Sequence, residues 1–290
     1  MTKPLSAVER WRYHLHDLDR SDAQALERSG ADLLVMDSEN DLSGQRKPYT
    51  AAQLDALRGA QDRILLSYLS IGEAEEYRSY WREGWETKPP SFLDAPNPEW
   101  PDNHNVRYWL PEWRKIVLEQ VDRIVDAGFD GLYLDRVDAY LYWEARARGS
   151  AIDFRAEMAA LVAEIHDHAA ARISARGDTR DFVLMAQNGE ELITRKDYRA
   201  VLDGLAKEDF RFTYSNGSED SFDLVSDDDF AHTTALLEQA EAAGVEVFLV
   251  EYMTTERRAQ FAGALGNLEA YAEEMEMPLL LVESRELDGL

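Results

Sequence analysis

The feature that most constrains this chain is an alternation. A short run rich in Val, Leu, Tyr and Phe is followed by a stretch with helical spacing, then by another run. Strands separated by helices pair in parallel, because only a crossover returns the chain in the same direction. The predicted strands are Trp11 to Leu15, Asp32 to Asp37, Ile64 to Ser70, Gly131 to Asp135, Phe182 to Gln187, Leu202 to Glu208, Val245 to Glu251 and Pro278 to Val282. Helical spacing covers Asp22 to Arg28, Ala51 to Leu57, Glu112 to Ala127, Phe154 to Ala175, Asp228 to Ala243 and Glu256 to Ala272. Gly30, Gly128 and Gly244 each fall where a helix must stop before the next strand. Eight strand candidates predict an α/β fold, one (β/α)8 TIM barrel, rather than an open doubly wound sheet.

No linker divides the 290 residues, so one domain is expected. The large irregular insertion, Ala74 to Leu110, holds Tyr77, Tyr80, Trp81, Trp85, Trp100, Tyr108 and Trp109 among several prolines. Disordered segments are poor in aromatics, so this loop is expected to be ordered. It is either a lid packed on its own side chains or a set of platforms for a flat-faced ligand such as a sugar ring.

Acids and amides collect where strands end. Asp37 and Glu39 follow the second strand, Glu73 the third, Asp135 and Asp138 the fourth, Asn188 and Glu190 the fifth, Glu208 and Asp209 the sixth, Glu251 and Tyr252 the seventh. In a barrel of this kind those ends converge on one mouth. Side chains alternate across a strand, so Tyr133 and Asp135 are expected to point inward while Leu132 and Leu134 face the helices. The same count groups Glu208 with Ala206, Glu251 with Leu249 and Val247, and Asn188 with Ala186 and Leu184. Arg136 and Lys207 then point away from the axis. Several carboxylates around one mouth suit glycoside hydrolysis, where one carboxyl gives a proton and another acts as nucleophile or base.

Other chemistries find little support. There are no cysteines, no phosphate-binding glycine loop and no H-E-x-x-H. His14-x-His16 resembles the metal-binding start of some barrels, but the partner histidines are missing, so no metal and no cofactor are expected. A formal charge of −26 argues against a nucleic-acid surface and favours a cationic ligand or a solvated acidic surface. No apolar run reaches membrane-spanning length.

The segments Tyr68 to Glu73, Gly128 to Asp135 with Asp138, Ala186 to Glu190, Asp203 to Glu208 and Glu251-Tyr252 together resemble glycoside hydrolase family 114. That family comprises endo-α-1,4-polygalactosaminidases and their bacterial barrel relatives, and the similarity runs from about Trp11 to Glu283. The resemblance implies cleavage within a galactosamine-containing polysaccharide by Asp135 and Glu208. Proton donation is assigned to Glu208 and the nucleophile or base role to Asp135. Asp37, Tyr68, Glu73, Trp109, Asp138, Asn188, Glu190, Glu251 and Tyr252 form the candidate substrate-binding set. A partly deacetylated amino-sugar polymer is cationic and matches the acidic charge. Family members are typically exported, so a secreted or extracytoplasmic location is implied, with a cytoplasmic one as the alternative because Met1 to Leu15 lacks an uninterrupted apolar stretch; a monomer is expected. The alternatives are a barrel that binds polysaccharide without turnover and a glycosidase for neutral or N-acetylated glycans.

Overall fold

The computed structural model describes residues 4–15, 20–40, 46–214 and 222–283. Eight parallel strands lie in chain order: β1 (Trp11–His14), β2 (Leu33–Met36), β3 (Ile64–Ser70), β4 (Gly131–Asp135), β5 (Val183–Gln187), β6 (Gly204–Glu208), β7 (Glu246–Tyr252) and β8 (Leu279–Val282). Each pairs with its neighbour in sequence, and the Trp11 indole donates to the Pro278 carbonyl (3.3 Å) where the last strand returns to the first. The result is a nearly closed (β/α)8 barrel.

Two apolar layers separate along each strand. Trp11, Tyr13, Val35, Leu66, Tyr68, Tyr133, Met185, Ala206, Phe248, Val250 and Tyr252 fill the interior. Leu34, Leu65, Leu69, Leu132, Leu134, Leu184, Ala186, Leu205 and Leu249 pack against the helices. Large aromatics plug the barrel, so it is a packed core with an open top rather than a channel. Trp11 meets Phe248 edge-on at 5.5 Å, and Tyr13 lies 5.2 Å from Tyr133.

The helices begin and end where local chemistry dictates. Thr50 caps the helix Ala51–Arg58 through a reciprocal box with Gln53, and Asp153 caps Phe154–Ala175 by accepting from the Ala156 N–H at 2.9 Å. Pro111 opens Pro111–Ala127, which Gly128 closes at φ +103°, a backbone state that glycine adopts without strain. The segment expected as one helix from Glu256 is two, Thr255–Gln260 and Ala262–Glu274, because the backbone leaves helical geometry at Phe261. Between β5 and β6 stand only a 3-10 turn, Glu190–Thr194, and a short helix, Lys196–Arg199.

The insertion is ordered. Glu73–Glu75, Asn103–Val106 and Leu93–Pro96 form a three-stranded antiparallel sheet. Trp81, Trp85, Phe92 and Trp113 pack ring on ring at 5.1 to 5.5 Å, anchoring that sheet to the helix Pro111–Ala127. Most of the loop's aromatics therefore serve as its own core.

Gly131 sits where β4 is squeezed between β3 and β5. A Cβ there would fall on the Val183 carbonyl oxygen and 2.8 Å from Leu66 Cδ2. Gly131→Ala is expected to destabilise the protein by about 1–3 kcal/mol, the usual scale of overpacking, read as a lower urea midpoint at unchanged slope. An unchanged midpoint would contradict the close β3–β4–β5 packing.

Candidate active site

The C-terminal strand ends surround a cavity of about 670 Å³. Tyr68, Asp135, Gln187, Glu208 and Tyr252 come from β3 to β7, while Tyr13, Asp37, Glu73, Asp138, Asn188 and Glu190 reach it from strand β1 and the turns that follow the strands. Most of the sequence-predicted set is thus brought together.

Asp135 and Glu208 are built as mirror images. Tyr68 Oη donates to Asp135 Oδ2 at 2.6 Å, and the Arg136 N–H donates to Oδ1 at 2.7 Å. On the other acid, Tyr252 Oη donates to Glu208 Oε1 and Asn188 Nδ2 to Oε2, the latter at 2.9 Å. Asn188 in turn accepts from the Glu208 N–H at 3.1 Å, which locks the amide to the end of β6. Each carboxyl therefore has one oxygen fixed by an N–H donor and one facing a hydroxyl, which can donate or accept. Burial raises Asp135 to about 7, and the nearby Glu208 charge adds to the rise. Burial likewise pushes the Tyr13, Tyr68, Tyr133 and Tyr252 hydroxyls well above their ordinary range, so all four remain protonated.

Three placements differ from expectation. Glu251 does not reach the cavity: it is fully buried, and its carboxylate accepts from the Arg211 N–H (2.7 Å) and the Phe212 N–H (3.4 Å). Burial raises it to about 8. It packs with the outward set Val247 and Leu249, while Phe248, Val250 and Tyr252 face inward. The same reversal holds on β5, where Leu184 and Ala186 face the helices and Met185 and Gln187 the interior. Asn188 reaches the cavity because its backbone turns to φ +57° just past the strand. Trp109 is also away from the mouth, packed against Trp143 at 4.9 Å and Phe154 at 5.0 Å.

The third correction concerns charge. Arg136 and Lys207 both line the cavity, where Arg136 Nε lies 3.0 Å from Glu73 and Lys207 Nζ 3.3 Å from Glu190. Long side chains leaving the strand ends fold back over the rim toward the acids, which parity at Cβ does not register. Arg46 and Arg78, from turns that the strand-end argument passed over, join them. Arg78 spans Asp37 (2.6 Å) and Glu75 (2.6 Å), and Arg46 also reaches Asp37, so Asp37 is held in a buried ion cluster. Burial raises Glu73, while Arg136 and the Asn97 amide (2.9 Å) oppose the rise.

Tyr13 and Gln187 were missed at the sequence level and now stand out, joined Oη to Oε1 at 3.3 Å on the cavity floor. For Tyr13 the available signal was its alternation with Trp11 on β1, whereas the two apolar faces of β5 gave none for Gln187. His14 lies on β1, whereas His16 falls outside the described residues. Among the described residues no helix is long and apolar enough to cross a membrane.

Comparison with known proteins agrees with this architecture. An uncharacterized protein of Deinococcus radiodurans is 36% identical over 248 residues, spanning 86% of this chain and 73% of that protein. The glycoside hydrolase domain of PelA from Pseudomonas aeruginosa superposes with a TM-score of 0.70 at 18% identity, covering 98% of both chains. Aspergillus fumigatus Ega3, solved in complex with galactosamine, superposes at 0.57 with 19% identity over 87% of this chain and 79% of that one. At such identities the two structures speak for the fold alone. The model of glycoside-hydrolase family GH114 matches residues 2–289, and the chain belongs to that family.

Proposed function

We propose that the protein cleaves α-1,4-linked galactosamine-containing polysaccharide internally, with Asp135 and Glu208 as the reacting acids. The observation that carries this reading is the pair itself: two carboxyls at one mouth, near enough that the charge of one raises the other. Asp135 therefore holds its proton up to about pH 7. Because Tyr68 can turn from donor to acceptor, Asp135 can carry that proton without leaving an oxygen unpaired. On a bound sugar the proton passes to Glu208, which delivers it to the leaving oxygen, while Asp135 acts on the anomeric carbon directly or through water. GH114 membership gives glycoside hydrolysis as the reaction class, and the galactosamine held by Ega3 supports an amino sugar as the substrate.

A barrel that only grips ammonium groups is best served by ionised acids, so the raised Asp135 favours hydrolysis over binding. The cavity still favours a cationic chain. Nine acids line it against Arg46, Arg78, Arg136 and Lys207, and although these cations occupy Asp37, Glu73 and Glu190, the acids remain in excess. Deacetylated galactosamine polymer is expected to be cut several-fold faster than its fully acetylated form. Added salt is expected to raise KM more than it lowers kcat, because it screens the field that concentrates substrate. Time courses on matched polymers at two ionic strengths check this. Equal rates without a salt effect would redirect the search to neutral or N-acetylated glycans, and no cleavage anywhere on the panel, with binding retained, would favour the binding barrel.

A further inference from the structure

Six of the seven tryptophans stack on another ring, and Trp100 alone, among the described residues, does not. It is 47% exposed and lines the cavity. The other exposed aromatic there, Tyr77, has its ring occupied by guanidiniums, with Arg46 at 5.4 Å and Arg78 at 5.2 Å from the centroid. Trp100 is therefore the one free aromatic surface at the mouth among the described residues. A second apolar side chain lines the same cavity, Leu141, 49% exposed. Asp138 stands three residues before it, a spacing that puts a carboxylate beside the apolar contact in a helical turn.

The tryptophan is held in place by short links to the reacting strand. The Asn103 N–H donates to the Trp100 carbonyl at 2.9 Å, and the Asn97 N–H to the Asn103 carbonyl at 2.7 Å. Asn97 Nδ2 binds Glu73 at 2.9 Å, Glu73 pairs with Arg136, and Arg136 follows Asp135 in the chain. The main chain that carries the exposed indole is thus tied to the end of the strand that bears Asp135. Glu99, the neighbour of Trp100, is exposed and also lines the cavity.

We infer that Trp100 and Leu141, flanked by Glu99 and Asp138, form a sugar-binding subsite away from the acid pair that takes an amino-sugar ring of the same chain being cleaved. The apolar C–H face of a pyranose lies on the indole, and its ammonium meets the flanking carboxylates. This rests on the hydrolase reading above and adds a length requirement to it: a chain long enough to reach the shelf is cleaved better than one that covers only the acids.

The test compares wild type, Trp100→Ala and Trp100→Phe on galactosamine oligomers of increasing length. Trp100→Ala should lose about ten-fold more kcat/KM on long oligomers than on the shortest one cut, a ratio worth about one stacked ring, with the loss mainly in KM and Trp100→Phe restoring most of it. Direct titration of long oligomer into Asp135→Asn and into Asp135→Asn with Trp100→Ala should show the same weakening without turnover. Equal losses at every length, or no loss, would overturn the subsite while leaving the hydrolase reading standing. Weakened binding by Trp100→Ala in a protein that cuts nothing would overturn hydrolysis and keep the subsite. Absence of both binding and cleavage across the panel would overturn both.

Discussion

Asp135→Asn and Glu208→Gln are each expected to lower kcat on galactosamine oligomers by a factor of hundreds or more, within the 10²- to 10⁴-fold range that a positioned acid or base contributes. Both changes keep shape and exchange one acceptor oxygen for an NH2 donor, which the neighbouring hydroxyl can meet by turning from donor to acceptor. At position 135 the amide oxygen accepts from the Arg136 N–H and the NH2 donates to Tyr68 Oη, while at position 208 the amide oxygen accepts from Asn188 Nδ2 and the NH2 donates to Tyr252 Oη. The fold should therefore persist, with circular dichroism and thermal transitions close to wild type below about pH 4, where Asp135 is protonated in both folded and unfolded states. The two variants should then part on aryl glycosides with good leaving groups. Glu208→Gln regains much of its rate there, because a leaving group that needs no proton bypasses a lost donor, whereas Asp135→Asn does not. The opposite pattern would exchange the two roles, and full activity in both variants would remove the pair from the chemistry.

How much of this was legible in the chain depends on whether one face of a strand differs chemically from the other. On β4 the polar end of Asp135 and the small Gly131 break the apolar run, and the parity count placed Tyr133 inside and Leu132 and Leu134 outside as observed. On β5 and β7 both faces are apolar, as in any parallel strand buried on two sides. Val247 and Leu249 therefore read no differently from Phe248 and Val250, and a terminal acid, Glu251, drew the count to the wrong face. A carboxylate that caps two backbone N–H groups from behind a strand looks identical in sequence to one aimed into a cleft.

The insertion shows a related limit. Its aromatic content correctly implied order, but composition does not tell a ring that packs on a neighbour from one that waits for a ligand. Trp81, Trp85 and Trp109 are of the first kind and Trp100 of the second, and the sorting comes from the antiparallel sheet, whose Trp100 hairpin lines the mouth. Charge balance at the mouth was misjudged because Arg46 and Arg78 lie in turns far from strand ends in sequence. Their folded places are fixed by Asp37, at the end of β2, which binds both.

A second large effect concerns stability, and its sign is opposite to that of the first. Asp135 is raised from an ordinary 3.8 to about 7 in the folded protein, so the folded state binds a proton that the unfolded chain has released. Below about pH 4 both states are protonated and the site imposes no penalty. As pH rises from there to about 7, wild type loses stability relative to a variant that cannot ionise, and above that the loss is constant. A shift of this size corresponds to roughly 4 kcal/mol. Asp135→Asn should therefore melt several degrees above wild type at pH 8, and the gap should close toward pH 4. Glu251, raised to about 8 by the same burial, predicts the same direction for Glu251→Gln over a window that extends about one unit higher. The two can be told apart by activity, since Glu251 lies outside the cavity and Asp135 at its centre. Melting curves from pH 4 to 9 for wild type and both variants give the measurement. A gap that is flat with pH, or that widens toward acid, would mean that Asp135 ionises as an ordinary surface carboxylate and does not hold its proton near neutrality.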